Sequence, residues 1–306
     1  MHKRPSSFFK YLLMIAILAL SLSDSGAQIT GAEGLVAPGA SLRLVSDSFK
    51  FTEGPTVDQQ GNVFFTDQPN DKIWKYSADG KLSVFMEKTG RSNGMHFDRK
   101  GNLLSCADER NEVWSISPDK KVTVILKDLS GLRLNGPNDL WVQPNGSIYF
   151  TDPLYRRAYW GGEVSRVKGE KVYYMADQKS QPVVVDDTIK KPNGIVGTPD
   201  GKLLYVADIG AGKTYRYTVN KDGSLSNRTL FANLGSDGMT LDEKGNVYLT
   251  GNGVTIFDKE GKQVGHIKVP ANWTANLCFA GKARKTLFIT ASESVFVLDM
   301  NVKGVE

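Results

Sequence analysis

The amino-acid sequence predicts an all-β chain folded as a six-bladed β-propeller, and three observations lead to this prediction. A short motif recurs six times, in which an oxygen-bearing residue, usually followed by Gly, opens an apolar stretch. The copies lie 40, 45, 55, 44 and 39 residues apart, a period typical of propeller and solenoid repeats. Short runs rich in β-branched and aromatic residues alternate with polar turns between them. The six oxygen-bearing residues are Glu53, Asn93, Asn138, Asn193, Asp237 and Asn276.

Each repeat contains enough strand-like segments for one sheet of four antiparallel strands. The second strands resemble one another most, and they occupy residues 61–67, 101–108, 146–152, 201–208, 245–250 and 285–290. They follow polar turns such as Pro144-Asn145-Gly146, in which Gly supplies the positive φ that a tight hairpin requires. Third and fourth strands follow in most repeats, for example residues 72–76 and 82–86. Four strands in each of six repeats correspond to a six-bladed propeller.

The two ends of the chain are predicted to close the ring. The sixth repeat has room for only three strands, the last of which ends near Asp299. Residues 41–46 form an additional strand-like segment before the first repeat. We predict that this N-terminal strand completes the last blade and covers an otherwise open sheet edge. The predicted propeller therefore spans residues 41–302.

The first residues of the chain have the features of a signal peptide. Positive residues precede the apolar residues 11–22, and small residues follow at Ser25-Gly26-Ala27. A run of twelve apolar residues is shorter than the ~20 residues that a membrane-spanning helix needs. We therefore predict a signal peptide at residues 1–27, a tail at residues 28–40, and a periplasmic or secreted protein that leaves the membrane after cleavage.

Charge and cysteine content limit the possible partners. The net charge is +5, and it falls to +3 when the three Lys/Arg residues and one acid of the signal peptide are removed. So small an excess without a basic block does not favour nucleic-acid binding. Cys106 and Cys278 lie within apolar strands of separate repeats, so we expect two buried free thiols. We expect a monomer that binds a small molecule.

The six oxygen-bearing residues predict a metal site on the propeller axis. Equivalent positions of a closed ring converge there, and carboxylate and amide oxygens with water are ligands that suit Ca²⁺. The alternative is that Asn and Asp before Gly serve only as turn residues that cap backbone groups. Glu53 is a poor turn residue yet occupies the same place in the repeat, which favours the metal site.

One loop is predicted to overhang this site. The first strands begin on the same face that carries the loops between second and third strands. The third repeat is about ten residues longer than its neighbours, and the excess falls in the aromatic, Arg-containing residues 153–162. We interpret this insertion as a pocket wall or lid, with Tyr155, Tyr159 and Trp160 able to pack on a sugar ring. The alternative is an ordinary long surface loop.

Four motifs in order resemble those of the gluconolactonase/regucalcin/luciferin-regenerating-enzyme-like family. They are Glu53-Gly54-Pro55, residues 134–141 (Leu-Asn-Gly-Pro-Asn-Asp-Leu-Trp), residues 192–194 (Pro-Asn-Gly) and residues 236–239 (Ser-Asp-Gly-Met). The resemblance extends from about residue 51 to residue 299. It implies a six-bladed propeller with one divalent cation in its channel, usually Ca²⁺, with Mg²⁺, Mn²⁺ or Zn²⁺ as alternatives.

The resemblance also assigns roles to individual residues. Glu53, Asn193 and Asp237 match the metal ligands of the family, and Asn138 matches a residue that faces metal or substrate. Asp237 additionally matches the acid–base residue proposed for lactone hydrolysis. One position departs from the pattern, because an arginine that some members use to hold substrate is Gly136 here. The substrate of those members is therefore not implied for this chain.

Together, the residues and the resemblance predict a metal-dependent hydrolase that opens a sugar-type lactone. Asp237 is the predicted catalytic residue, and the predicted metal ligands are Glu53, Asn138, Asn193 and Asp237. The residues expected to contact substrate are Asn93, Asn138, Asn276, Tyr155 and Trp160. Two alternatives use the same scaffold: a phosphotriesterase-like hydrolase with Asp237 as nucleophile, and an exported propeller that binds a ligand without catalysis.

Overall fold

The chain folds into six antiparallel β-sheets arranged as the blades of a propeller, which confirms the predicted fold class. The computed structural model describes residues 29–32, 34–162 and 166–306. The predicted signal peptide lies outside the described residues. None of the helices formed by the described residues is long and apolar enough to cross a membrane.

Two strands precede the first complete blade, β1 (Ile29–Thr30) and β2 (Arg43–Ser46). Blade 1 contains β3 (Thr52–Val57), β4 (Val63–Asp67), β5 (Lys72–Tyr76) and β6 (Leu82–Glu87). Blade 2 contains β7 (Ser92–Phe97), β8 (Leu103–Ala107), β9 (Glu112–Ile116) and β10 (Val122–Leu126). Blade 3 contains β11 (Leu140–Val142), β12 (Ile148–Asp152), β13 (Lys171–Met175) and β14 (Val183–Asp186).

The remaining blades repeat this order from the axis outward. Blade 4 contains β15 (Pro192–Gly197), β16 (Leu203–Asp208), β17 (Lys213–Val219) and β18 (Leu225–Ala232). Blade 5 contains β19 (Met239–Leu241), β20 (Val247–Gly251), β21 (Gly253–Phe257) and β22 (Gln263–Ile267). Blade 6 contains β23 (Thr274–Ala280), β24 (Thr286–Ala291) and β25 (Ser294–Asp299). Two short 3-10 helices span Gln68–Asn70 and Ala158–Trp160.

The N-terminal strand completes the last blade, as predicted. Strand β2 pairs with β25 and forms the outer edge of blade 6, with Arg43 opposite Val297. The sequence did not indicate a second edge contact, in which β1 pairs with β22 and adds a fifth strand to blade 5. Part of the segment assigned as a tail therefore lies on a sheet edge, where it covers unpaired backbone groups.

The glycine of the repeated motif allows neighbouring inner strands to approach closely around the axis. A β-carbon on Gly54 would lie 2.1 Å from the carbonyl oxygen of Asn93, and one on Gly238 would lie 1.9 Å from the side chain of Asn276. Any larger residue would push the blades apart. The glycine of the motif thus allows close packing at the channel, and the residue before it supplies an oxygen atom to the channel. In blade 3 the glycine is replaced by Asp139, which places a third carboxylate on the channel.

Apolar side chains fill the spaces between adjacent blades. The largest fully buried side chains include Tyr149, Tyr173, Tyr248, Phe65, Phe150, Phe279 and Phe288. Cys106 and Cys278 are both free and buried, as the sequence predicts. With the blades packed in this way, the inner strands form a rigid wall around the channel.

Candidate functional site

The six oxygen-bearing residues lie around one mouth of the channel. Four belong to inner strands, whereas Asn138 and Asp237 come just before β11 and β19. Five of the six are buried, with 2–7% of each residue exposed. Asp237 alone is partly exposed to solvent. The repeat therefore places these side chains on a common face, and it leaves one carboxylate accessible to a ligand.

Glu53 is buried and held by two hydrogen bonds. Its Oε2 accepts from Nδ2 of Asn276 at 3.0 Å and from the backbone N–H of Gly54. Burial, followed by the charges of Asp237 and Asp139, raises the pKa of Glu53 well above its ordinary value. Three carboxylates thus lie close enough to repel one another.

Asp237 is the accessible member of this group. Its Oδ2 accepts a hydrogen bond from Nε1 of Trp273 at 2.6 Å. Burial raises the pKa of Asp237 to about 6, although the hydrogen bonds from Trp273 and Asn193 oppose this shift. A carboxyl group with such a pKa can exchange a proton near neutral pH, as acid–base catalysis requires.

Two amide oxygens at the site have no hydrogen-bond partner among the described residues. They are Oδ1 of Asn93 and Oδ1 of Asn193, and both are buried. Nδ2 of Asn193 donates to the hydroxyl oxygen of Tyr155 at 3.1 Å, which fixes the orientation of the amide. Buried polar atoms are normally satisfied, so these oxygens are available to a ligand.

The donor set fits a hard divalent cation. Within the described parts of the chain, no three His, Cys, Asp or Glu side chains form a metal-binding group by themselves. Glu53 and Asp237 supply two carboxylates of raised pKa, and the buried oxygen of Asn193 is unpartnered. A cation would relieve both the repulsion and the missing hydrogen bond. Oxygen ligands of this kind suit Ca²⁺ better than softer metals.

The long loop of blade 3 lies over this mouth and is anchored by a buried carboxylate. Oδ2 of Asp108 accepts hydrogen bonds from Nε of Arg157 at 3.0 Å and from the hydroxyl of Tyr159. Nε1 of Trp160 donates to the backbone oxygen of Asp108 at 2.7 Å. Tyr155, on the same loop, reaches Asn193. The insertion is therefore a fixed wall of the site.

Trp160 also explains the glycine at position 136. A β-carbon on Gly136 would lie 3.2 Å from the Trp160 ring, and the φ of Gly136 is +151°. A side chain at this position would be strained by the positive φ and would make tight contacts with the indole and with Oδ1 of Asp108, which would lie 3.1 Å away. Glycine is therefore favoured at the position where the sequence resemblance would have placed a substrate-holding arginine.

Sequence reasoning missed three residues of the site. Asp139 carries a buried carboxyl whose pKa is raised to about 7, first by burial and also by the charge of Asp237. Its signal was the break in the repeat, where Asp replaces Gly. Trp273 precedes the inner strand of blade 6, and Arg157 lies in the loop. Neither belongs to the periodic pattern. The sequence marked the Arg-containing insertion that holds Arg157 without assigning a role to this residue, and it offered no signal for Trp273.

The opposite mouth of the channel opens into a cavity of about 830 Å³. Turns between first and second strands surround it, and Met95, Trp141 and Met239 contribute to its walls. Asp139 and Asn276 form part of its inner end. These two residues therefore separate the carboxylate site from the cavity behind it.

Comparison with known proteins identifies gluconolactonases of similar sequence and fold. A gluconolactonase from Zymomonas mobilis is 26% identical over 284 residues, which cover 83% of this chain and 80% of that protein. The structure of a putative gluconolactonase is 29% identical, with a TM-score of 0.84 over 92% of this chain and 99% of the other. The structure of a gluconolactonase from Xanthomonas campestris is 27% identical, with a TM-score of 0.81 over 90% of this chain and 94% of the other.

A family model covers most of the chain and settles its affiliation. The model describes the SMP-30/gluconolactonase/LRE-like region and matches residues 51–293. This range begins just before β3 and ends within blade 6, so it includes all six oxygen-bearing residues. The chain belongs to the SMP-30/gluconolactonase/LRE-like family.

Proposed function

We propose that the protein is a lactone hydrolase that opens sugar lactones of the gluconolactone type with the help of a divalent cation. The observation that carries this proposal is the convergence of Glu53, Asn193 and Asp237 at one mouth of the channel. The similarity to the gluconolactonases of Zymomonas mobilis and Xanthomonas campestris supports the substrate class.

The cation would be held by Glu53, Asn138, Asn193 and Asp237, and we favour Ca²⁺ because all four ligands are oxygen atoms. When bound, it would supply Lewis-acid polarisation of the lactone carbonyl. Two carboxylates balance the charge of one divalent ion, and the neutral amides complete the ligand set without excess negative charge. Nε1 of Trp273 and the amide of Asn193 keep Asp237 in position.

Asp237 performs the proton transfers. It accepts a proton from the attacking water while the new C–O bond forms at the lactone carbonyl. It then donates this proton to the ring oxygen when the ring C–O bond breaks, which yields the open hydroxy acid. Partial exposure of Asp237 gives water and substrate access to its carboxyl group.

The other residues of the site bind and orient. The unpartnered oxygen of Asn93 is available to a sugar hydroxyl, and Tyr155 and Trp160 form the adjacent wall. Asn276 has a different role, because Nδ2 donates to Glu53 and Oδ1 accepts from the backbone N–H of Leu277. We therefore assign Asn276 to the positioning of Glu53.

A lactone panel on the purified mature protein tests this function. We expect hydrolysis of D-glucono-1,5-lactone that is lost with a chelator and restored by Ca²⁺, with Mg²⁺, Mn²⁺ and Zn²⁺ compared in parallel. An aryl phosphotriester serves as the competing substrate. Turnover of the phosphotriester alone, or no turnover of any ester in the metal-loaded protein, would contradict the proposal.

We also propose that the protein is exported after cleavage behind Ala27 and acts as a monomer. The apolar residues 11–22 and the small residues at 25–27 support export. N-terminal sequencing of the protein recovered outside the cytoplasm tests the cleavage position. Size-exclusion chromatography with light scattering tests the monomer.

A further inference from the structure

Arg157 stands between the carboxylate site and a second cavity on the same face of the propeller. This cavity has a volume of about 460 Å³, and Arg156, Arg157, Arg166, Trp160 and Glu170 are among its lining residues. The guanidinium of Arg157 lies 5.7 Å from the centre of the Tyr155 ring, and the hydroxyl of Tyr155 accepts from Nδ2 of Asn193, a residue of the carboxylate site, at 3.1 Å. A ligand bound at Asp237 therefore lies within reach of an arginine-lined cavity.

The orientation of Arg157 is fixed from one side only. Its Nε donates to Oδ2 of Asp108 at 3.0 Å, and the same oxygen accepts from Nε2 of Gln68 at 3.3 Å and from Tyr159. The side chain of Asp108 is 5% exposed, whereas that of Arg157 is 28% exposed. The two terminal nitrogens of Arg157 have no hydrogen-bond partner among residues 29–32, 34–162 and 166–306. A guanidinium held in this way presents two free donors to a ligand.

The cavity contains more positive than negative charge among the described residues that line it. Glu170 is the acidic one; its Oε1 lies 3.4 Å from Nζ of Lys191, and its Oε2 has no hydrogen-bond partner among the described residues. Arg166 donates through Nη1 to the neutral backbone oxygen of Leu134 at 2.6 Å. Burial, followed by the charge of Arg133, lowers the pKa of Arg166. An anion in the cavity would relieve this crowding of cations.

The loop that carries Arg157 also removes an alternative binding group. A β-carbon at position 136 would lie 3.2 Å from the Trp160 ring at a φ of +151°, so this position favours glycine and offers no side chain to the substrate. The guanidinium of Arg166 lies 4.4 Å from the centre of the Trp160 ring and holds the indole in place. Position 136 therefore contributes no side chain to this side of the site, whereas Arg157 lines the cavity there.

We infer that the substrate is a sugar lactone with an anionic group at the end remote from the reacting carbonyl, and that Arg157 selects for this group from the mouth of the arginine-lined cavity. This inference rests on the proposed lactone hydrolysis and narrows its substrate class. A phosphate, a sulfonate or a carboxylate shares the required chemistry, since each offers oxygen atoms to the paired donors of a guanidinium.

The first test compares neutral and anionic lactones on the metal-loaded protein. The probes are D-glucono-1,5-lactone and its derivatives with phosphate, sulfonate or carboxylate at C6. We expect kcat/KM to favour at least one anionic lactone by roughly 10- to 100-fold, which is the usual effect of hydrogen bonds to a charged group. The order of the three derivatives distinguishes the anions. Equal kcat/KM for the neutral and all anionic lactones would overturn the inference while leaving lactone hydrolysis established.

The second test removes the guanidinium. Arg157→Gln should lower the ratio of anionic to neutral kcat/KM by roughly 10- to 100-fold, and Arg157→Lys should retain part of it. The exposed Arg110 lies in a turn on the same face and lines neither cavity, so Arg110→Gln is the matched control. An unchanged ratio in Arg157→Gln, with a wild-type melting temperature, would overturn the assignment.

A binding readout separates this inference from the proposed function. The affinities of gluconate and 6-phosphogluconate are measured by calorimetry at low and high salt. This measurement does not depend on hydrolysis of a lactone. We expect tighter, salt-sensitive binding of 6-phosphogluconate in the wild type and loss of this difference in Arg157→Gln. If no lactone were hydrolysed but this difference persisted, the proposed function would fail and the anion site would stand. Equal binding of the two acids would overturn the anion site.

Discussion

Two groups of carboxylates lie on the same face of the propeller, and they differ in the hydrogen-bond partners and charges that surround them. The outer group ends the second strands and comprises Asp67, Asp152 and Asp208, with Asp108 at the corresponding place in blade 2. Asp152 accepts backbone N–H groups from Asn135 at 3.0 Å and from Gly136 at 2.7 Å. Asp208 does the same with Lys190 and Lys191, both at 3.0 Å.

The inner group consists of Glu53, Asp139 and Asp237. These carboxylates face one another across the channel, and their charges raise the pKa of Glu53 in addition to the effect of burial. Each outer carboxylate thus has its own backbone donors, although burial still raises the pKa of Asp152 to about 7. Glu53 and Asp139 also accept backbone N–H groups, but the inner carboxylates differ in lying close enough to repel one another, and a cation would relieve that repulsion. Burial alone does not distinguish a structural carboxylate from a functional one; its partners do.

Asp108 lies between these two cases. Instead of backbone N–H groups it accepts the side chains of Gln68, Arg157 and Tyr159. The backbone N–H groups before the inner strand of blade 2 are instead bound by Asp71, whose Oδ1 accepts from Thr89 and Arg91. One structural aspartate has thereby become the anchor of the loop that faces the site.

The largest effect is expected from a change in the inner group. Asp237→Asn removes the proton-transfer group, and kcat/KM for the lactone should fall by a factor on the order of 10²–10⁴. The fold should persist, as judged by circular dichroism, because one member of a repelling group has been neutralised. Asp187 is exposed on the same face, so Asp187→Asn is the matched control. Turnover close to that of wild type would remove Asp237 from the mechanism.

A change in the outer group should act on stability instead. Oδ1 of Asp67 accepts from the backbone N–H groups of Lys50 at 3.1 Å and Phe51 at 3.3 Å. Asp67→Ala leaves both donors unpaired, and we expect the free energy of unfolding to fall by roughly 3 kcal/mol. Denaturant titration measures this loss, and kcat of the remaining folded enzyme should stay near wild type. Strong loss of kcat at unchanged stability would erase the distinction between the two groups.

The features that recur with the period of the blades could be predicted from the sequence. Six blades, the closing strand β2 and the inner positions of Glu53, Asn193 and Asp237 all depend on one period and on the missing strand of the last blade. Strand β1 could not be predicted, because two residues carry no pattern and its place depends on the exposed edge of β22.

Two residues that contact the site do not occupy positions of the repeated motif. Trp273 approaches Asp237 because the loop before β23 turns inward, and Arg157 is placed by its bond to Asp108. Both positions result from loop conformation and tertiary contacts, which a one-dimensional pattern does not contain. Asp139 was different, because the loss of the repeated glycine marked it in the sequence.

The inner group should also make the metal-free protein sensitive to pH. The pKa values of Asp237 and Asp139 are raised to about 6 and about 7, mainly by burial. Carboxyl groups with raised pKa stabilise the fold while they are protonated, and this stability is lost as pH rises through those values. We expect a loss of roughly 4 kcal/mol between pH 5 and pH 8 in a chelator, about 1.4 kcal/mol from Asp237 and about 2.6 kcal/mol from Asp139. Melting temperatures across this range, with and without Ca²⁺, measure it.

A matched variant isolates the contribution of the carboxylates to this pH effect. Groups outside the inner group also contribute a pH-dependent term. Burial raises the pKa of Asp152 and of Glu306 to about 7, so they lose stability as pH rises, whereas burial lowers the pKa of His96, so its effect runs in the opposite direction. This term is the same in wild type and in Asp139→Asn, so it cancels when the stabilities of the two proteins are subtracted. The loss of stability between pH 5 and pH 8 should be smaller in Asp139→Asn than in wild type. Added Ca²⁺ should raise the melting temperature more at pH 8 than at pH 5, since ionised ligands bind it better. An equal Ca²⁺ effect at both pH values would contradict the inner group as its binding site.

The smallest effect should come from Trp273, which touches the inner group from outside the repeat. Trp273→Phe removes the hydrogen bond to Oδ2 of Asp237, and the pKa of Asp237 should rise further because that bond favours the ionised form. The midpoint of the pH-dependent melting in chelator should therefore move to higher pH, and kcat/KM should fall roughly 3- to 10-fold. Nε1 of Trp74 is buried and has no hydrogen-bond partner among the described residues, so Trp74→Phe is the matched control. A midpoint that moves equally in both variants would show that Trp273 acts through packing. The hydrogen bond from Asn193 would then be the interaction that positions Asp237.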